Sequence, residues 1–204
     1  MQTAQIQIDE QQYRDVRDAR TLYYPEQMFE RNVEVLVAGK LATYDDADLF
    51  RKEIPSRFFL WIPPRPREMN YGNLMSLVKT DGKPGVNYIG REPCWDTVKV
   101  PAGPYFALNV RDGSERLGMS SANSRADIIS EHRSPATLFE GIIHSMLYPI
   151  VLASHGMNIC GSDCESERIL NLSLGRGEVL LRAMLFDSDN PHFGVPSCGK
   201  RLAS

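Results

Sequence analysis

The stretch RILNLSLGRGEVLLRAMLF, residues 168–186, constrains this chain more than any other. Leu170, Leu172 and Leu174 recur with the alternation that puts side chains on one face of a strand. Val179, Leu181, Ala183 and Leu185 repeat that pattern in the second half. Gly175 and Gly177 lie between the halves, where a tight turn needs positive φ. The spacing predicts an antiparallel hairpin over 168–186, turning at Gly175–Gly177, with Leu172 and Leu181 pointing inward. A lone hairpin is marginal in water, so helices or a further sheet must cover this one.

The cover is legible upstream, in SPATLFEGIIHSMLYPIVLASHG, residues 134–156. Thr137 and Glu140 have the spacing of a capping box, and an apolar run follows them. Pro149 disfavours helical geometry at Tyr148 and divides the stretch into two helices. Gly156 is expected to end the second, leaving His155 in its last turn. From Met157 to Glu167 the expectation is a loop anchored by Ile159, with Asp163, Glu165 and Glu167 facing water.

Earlier segments alternate in type. DEQQYRDVRDAR, residues 9–20, reads as a polar helix with Tyr13 and Val16 as its thin apolar stripe. A second helix starts near Pro25, buries Met28, Val33, Val35, Leu36 and Val37, and ends at Gly39. DDADLFRKEI reads as a short third helix with acids in its first turn. SRFFLWIPPRPRE is a strand leaving its sheet at Pro63, which makes the PxxP at Pro63–Pro66 an exit loop. Tyr71, Leu74, Met75 and Val78 share a helical face, and Asp81 and Gly82 stop that helix. From 85 to 112 the chain reads as loops and strands, most firmly PYFALNVRDG with its Asp-Gly turn. The expected architecture is α+β, a single domain with a mainly antiparallel sheet and packed helices. Residues 1–56 form its helical N-terminal segment and 57–204 the α+β domain.

The net charge of −3 supplies no field to attract a phosphate backbone. PPRPR at 63–67 and GKR at 199–201 lack interleaved aromatics, so no nucleic acid is expected as a partner. No apolar stretch reaches the length of a membrane span, and no positive segment leads into an apolar run at the start. The four cysteines are scattered apart from one pair, which favours cytoplasmic thiols over a disulfide framework.

Several groups of residues invite chemistry. His155, Cys160 and Cys164 in HGMNICGSDC have loose zinc-ligand spacing, with Cys198 or His192 as a fourth ligand. One cysteine pair and an outlying histidine fall short of the two close ligand pairs of a zinc motif, so a helix-terminal histidine with two buried or idle thiols is the expectation. Cys198 stands near Lys200 and Arg201, which would favour a thiolate, and His192 is the nearest base in sequence. Ser197 and Lys200 form an S-x-x-K, the motif of penicillin-recognising enzymes, but too little chain follows for their further motifs, and that reading is set aside. Asp187, Asp189 and His192 offer oxygen and nitrogen to a cation but sit where a turn needs such residues. No phosphate-binding glycine loop is present, so no cofactor is expected.

SPATLFEGIIHSMLYPIVL, CGS at 160–162 and the terminal FGVPSCGKR together resemble a bacterial protein family of unknown function. The resemblance spans about residues 57–201 and rests on the Thr-x-x-Glu-Gly helix, the Gly-Ser and the Ser-Cys segment. It implies a bacterial, soluble protein and assigns no residue a catalytic role. The expectation is a binding or accessory module with an unspecified small-molecule ligand. The alternatives are a thiol- or metal-dependent enzyme using Cys198 or the His155, Cys160, Cys164 group, and an assembly protein self-associating through its N-terminal helices.

Overall fold

The computed structural model describes residues 9–19, 21–22, 24–68, 70–165, 168–184 and 190–203. Helices α1 (Glu10–Asp18), α2 (Pro25–Ala38) and α3 (Tyr44–Asp48) come first. Then follow β1 (Phe59–Ile62), α4 (Tyr71–Leu77), β2 (Lys79–Thr80), β3 (Lys83–Pro84), β4 (Val86–Asn87), β5 (Cys94–Asp96) and β6 (Tyr105–Leu108). A 3-10 turn (Ser114–Arg116) leads to α5 (Ser121–Ser130), β7 (Ser134–Pro135), α6 (Leu138–Leu147) and α7 (Ile150–Ser154). The chain closes with β8 (Gly156–Ile159), β9 (Ser162–Cys164), β10 (Ile169–Gly175), β11 (Glu178–Met184), β12 (Phe193–Gly194), β13 (Ser197–Cys198) and β14 (Lys200–Ala203).

The fold is α+β, as expected. Strands β1, β6 and β14 form an antiparallel sheet with β6 in the middle. A mixed sheet has the order β12-β8-β10-β11-β4, antiparallel at its centre and parallel at both edges. Helix α6 lies between the two, and every residue of it except Met146 is buried. Gly141 permits the close approach of the mixed sheet: a β-carbon there would fall 2.6 Å from Ile159 Cδ1 and 3.2 Å from Leu172 Cδ1. On the far face of the three-stranded sheet, Phe29 of α2 and Phe50 pack edge-on against Phe106, with centroids 5.7 and 5.1 Å apart. β1 is therefore buried on both faces, which explains its unbroken apolar run. Residues from both sides of position 56 share one core, from Tyr13 and Phe29 to Leu172 and Cys198.

The hairpin has the predicted form, with Leu172 opposite Leu181 and Gly175 opposite Glu178. Its two-residue turn holds Arg176 at φ 57° and Gly177 at φ 77°, the double positive φ that matches strand twist. The expected last residues of the second strand, Leu185 and Phe186, lie outside the described residues, as do Asp187, Asp189 and Glu167. Thr137 caps α6 as predicted: its hydroxyl accepts from Glu140 N at 3.3 Å, and Glu140 Oε2 accepts from Thr137 N at 2.8 Å.

Three local expectations are corrected. Gly156 does not end a helix; it opens β8, and a β-carbon there would lie 2.5 Å from the Phe193 ring. That glycine makes room for a neighbouring side chain instead of supplying a left-handed cap. His155 is accordingly extended, at φ −162°, and not in a helical last turn. The stretch from Met157 to Cys164 carries β8 and β9, since pairing with β10 and β5 outweighs its weak alternation. Finally, α4 ends at Leu77, and Asp81 and Gly82 instead form the tip of the β2–β3 ribbon. Among the described residues no helix is long and apolar enough to cross a membrane.

Leu172 is fully buried. Leu172→Ala should therefore lower stability by about 2–5 kcal/mol, the range for truncating a core leucine. A urea titration showing a loss well under 1 kcal/mol would mean that the hairpin does not face α6.

Candidate functional site

Helix α1 carries few apolar residues and is too short to be stable alone. Its Tyr13 and Val16 contribute to the core, while its polar side meets α7 and the loop after β6. The junction encloses a cleft of about 120 Å³. Glu10, Tyr13, Arg14 and Arg17 line one side, Asp112 and Ser114 the second, and Ile150, Val151 and Ser154 of α7 the third.

Asp112 is the hub, and it is almost wholly buried. Arg17 Nη1 donates to its Oδ2 at 2.7 Å and to Ser114 Oγ at 3.0 Å, while Ser114 N donates to its Oδ1 at 3.0 Å. Burial would raise the carboxyl pKa, but the Ser114 amide and the Arg17 charge outweigh it and hold Asp112 below the usual carboxylate value. Gly113 makes this turn possible: its φ is +92°, and a β-carbon would fall 2.4 Å from Val195 N. His155 Nε2 donates to the Asp112 carbonyl at 3.0 Å, and its Nδ1 lies 2.9 Å from Ser154 Oγ. His155 thus props the loop that carries Asp112.

Behind the cleft, Tyr13 Oη lies 2.9 Å from His144 Nε2 on α6. Tyr148 packs against both rings, at centroid distances of 5.3 and 6.0 Å. Burial drives the His144 pKa down to about 4, so the ring is neutral near pH 7. Burial, reinforced by the Asp112 charge, moves the Tyr13 hydroxyl well above its ordinary value. Neither group is poised to exchange a proton at neutral pH. At the cleft surface the charges are paired, Arg17 with Asp112 and Arg14 with Glu10, so it offers hydrogen-bond donors and acceptors more than net charge.

A second buried polar cluster surrounds Glu140. Arg201 Nε and Nη2 donate to its two oxygens at 2.7 and 2.8 Å, and Tyr105 Oη donates to Oε1 at 2.9 Å. Burial lowers the Arg201 pKa, but the Glu140 bonds and charge more than reverse this. Cys198 lies against this cluster, 2% exposed. Burial, then the Glu140 charge, pushes its thiol up to about 12, despite Arg201 and Arg133. The proximity of Lys200 in sequence does not translate into an activated thiolate, because Lys200 is exposed to solvent while Cys198 is buried.

The other sequence candidates scatter. His192 is exposed beside the edge strand β12, while Cys198 is buried opposite Ser134. His155 faces Asp112, Cys160 faces the Ser121 carbonyl at 3.8 Å, and Cys164 faces the Arg168 carbonyl at 3.5 Å. Burial pushes the Cys160 thiol to about 12. Among the described residues no group of three or more His, Cys, Asp or Glu side chains is placed to hold a metal ion. The polar cleft is not legible in the sequence, because Asp112 reads as a turn residue and Arg17 as a solvated charge. The available signals were Tyr13 alone in a polar helix and His144 inside an apolar run. Comparison with models of known families, with curated proteins and with solved structures finds no match.

Two measurements follow from these clusters. Glu140→Gln or Arg201→Met alone leaves its partner buried without a counter-charge and should cost about 3–5 kcal/mol, whereas the double variant Glu140→Gln, Arg201→Met should cost clearly less than the sum of the two. Equal additive losses in a double-mutant cycle would contradict the coupling. His144 binds a proton in the unfolded chain below about pH 6.5 but in the fold only below about 4. The unfolded state therefore holds more protons in that window, and stability should fall by about 3 kcal/mol as pH drops from 7 to 4. Urea titrations across this range should show the fall, and His144→Gln should flatten it.

Proposed function

We propose that this protein is a binding module whose site is the cleft under α1 and whose ligand is a small neutral or zwitterionic polar molecule. The observation that carries the reading is the cleft's chemistry: hydroxyls of Ser114 and Ser154 beside two ion pairs that are already satisfied. A strongly anionic or cationic ligand would have to break one of those pairs. Its volume of about 120 Å³ suits a ligand much smaller than those of the roughly 300–1,000 Å³ pockets that take drug-sized molecules. Binding is favoured over catalysis because Tyr13 and, behind it, His144 are 3% and 1% exposed and titrate far from neutrality, while the carboxylates Asp112 and Glu10 are held in ion pairs. A bacterial source and a cytoplasmic location, expected from the resemblance and the cysteine spacing, belong to this proposal.

A second reading, self-association through the N-terminal helices, is favoured by Tyr24, Tyr44 and Leu49, exposed at the ends of α2 and α3. Thermal melts of the full chain address both. Among glycine, serine, glycerol and acetamide at millimolar concentration, at least one should raise the melting temperature by about 5–10 °C, as a ligand near saturation does. Ser154→Trp, which fills the cleft from its exposed rim, should abolish the rise. No rise with any probe, or an equal rise in the variant, would reject the cleft. A melting temperature that climbs with protein concentration instead would favour assembly.

A further inference from the structure

Strands β5 and β9 pair antiparallel with Cys94 directly opposite Cys164. In such a ladder, hydrogen-bonded and non-hydrogen-bonded pairs alternate. Thr97 N donates to Gly161 O at 2.9 Å, which makes Thr97 and Gly161 a hydrogen-bonded position. Stepping back along the register, Trp95 and Asp163 are the next such position, and Cys94 and Cys164 fall at a non-hydrogen-bonded one. There the α-carbons approach to about 4.5 Å and the side chains meet on one face, within the span of about 4.4–6.8 Å that a disulfide bridges. The neighbouring pair on the same face demonstrates the contact, since Ser162 Oγ donates to Asp96 Oδ1 at 2.8 Å.

Access is asymmetric. Cys94 is partly exposed and Cys164 is 1% exposed, so a reagent reaches the first thiol and the second waits beneath it. Cys160, in the link between β8 and β9, and Cys198, on β13, are both buried and face other partners.

We propose that Cys94 and Cys164 are a modification site, forming a reversible cross-strand disulfide by exchange with a low-molecular-weight disulfide such as oxidised glutathione. The Cys94 thiolate attacks one sulfur of the reagent, forming a mixed disulfide and releasing one glutathione thiolate, which takes up the proton Cys94 gave to solvent. The Cys164 thiolate then attacks the Cys94 sulfur, forms the protein disulfide and releases the second glutathione. Two protein thiols lose two electrons in total, and one reagent disulfide gains them as two thiols. Burial, then the facing Cys164 and Glu92, pushes the Cys94 thiol up to about 12, so thiolate is scarce near neutrality and the exchange is slow. The bridge would fasten the segment carrying the exposed Trp95 to β9, whose Ser162 accepts from the first amide of α6, Leu138 N, at 2.8 Å.

The test uses the full chain, incubated with oxidised glutathione in mildly alkaline buffer, quenched with N-ethylmaleimide and digested without reductant. A protease that cuts before aspartate separates Cys160 from Cys164 at Asp163. The expected product is a peptide pair joining Cys94 to Cys164, lost on treatment with dithiothreitol. It should come with a rise in melting temperature of about 5–15 °C, because the bridge closes a long loop, and Cys94→Ser should abolish that rise. A stable glutathione adduct on Cys94 with Cys164 alkylated, a link from Cys94 to Cys160 or Cys198, or full alkylation of both thiols would each overturn the proposal.

Discussion

The ion pair between Glu140 and Arg201 is the constraint around which the rest is arranged. Helix α6 is enclosed by two sheets, so a carboxylate on it has no water to solvate it and needs a partner inside the protein. Both oxygens of Glu140 are used: Arg201 holds them as a fork, Tyr105 adds a third donor and the Thr137 amide a fourth. One side chain therefore closes the N-terminus of α6 and fixes its rotation against β6. It also draws the end of the chain, β14, onto the sheet that β1 begins. Residues 105–108, 138–147 and 200–203 are tied at a single point, and β1 joins them by pairing with β6.

One helical turn beyond Glu140, His144 repeats the device toward α1. Its ring is kept neutral by burial and meets the Tyr13 hydroxyl, while Arg17 of the same short helix reaches Asp112. Helix α1 has little apolar surface to hold it, and these polar bonds supply the specificity of its docking. The cleft exists because a polar helix is laid over a polar loop and cannot fill the space between them as interlocking apolar side chains would. On the side of α6 that meets the mixed sheet, Gly141 lets Ile159 and Leu172 approach, and Ser145 turns its hydroxyl back to the Gly141 carbonyl. The helix is thus polar where it meets the N-terminal helices and the small sheet, and smooth where it meets the hairpin.

The cysteines illustrate how far environment overrides sequence neighbourhood. Cys198 stands beside Lys200 and Arg201 in the chain, yet Arg201 is committed to Glu140 and the thiol is raised, not lowered. Cys160 and Cys164 are close in the chain but turn to different partners, while Cys164 meets Cys94, seventy positions earlier, across a strand pair.

What the sequence determined by itself is whatever depends on neighbours within a few positions. The leucine alternation specified the hairpin and its register, the Thr137–Glu140 spacing specified the start of α6, and Pro149 specified its division from α7. Pro25 and Gly39 likewise marked the limits of α2. Tertiary structure decided the rest. Gly156 looks like a helix stop from its neighbours, but its role is set by the Phe193 ring that occupies the space a side chain would need. Asp112 looks like a turn residue, and its burial under Arg17 comes from a helix almost a hundred positions away. Thiol basicity, ion pairing and cleft formation depend on desolvation and on charges brought close in space, and those distances exist only once the layers have packed.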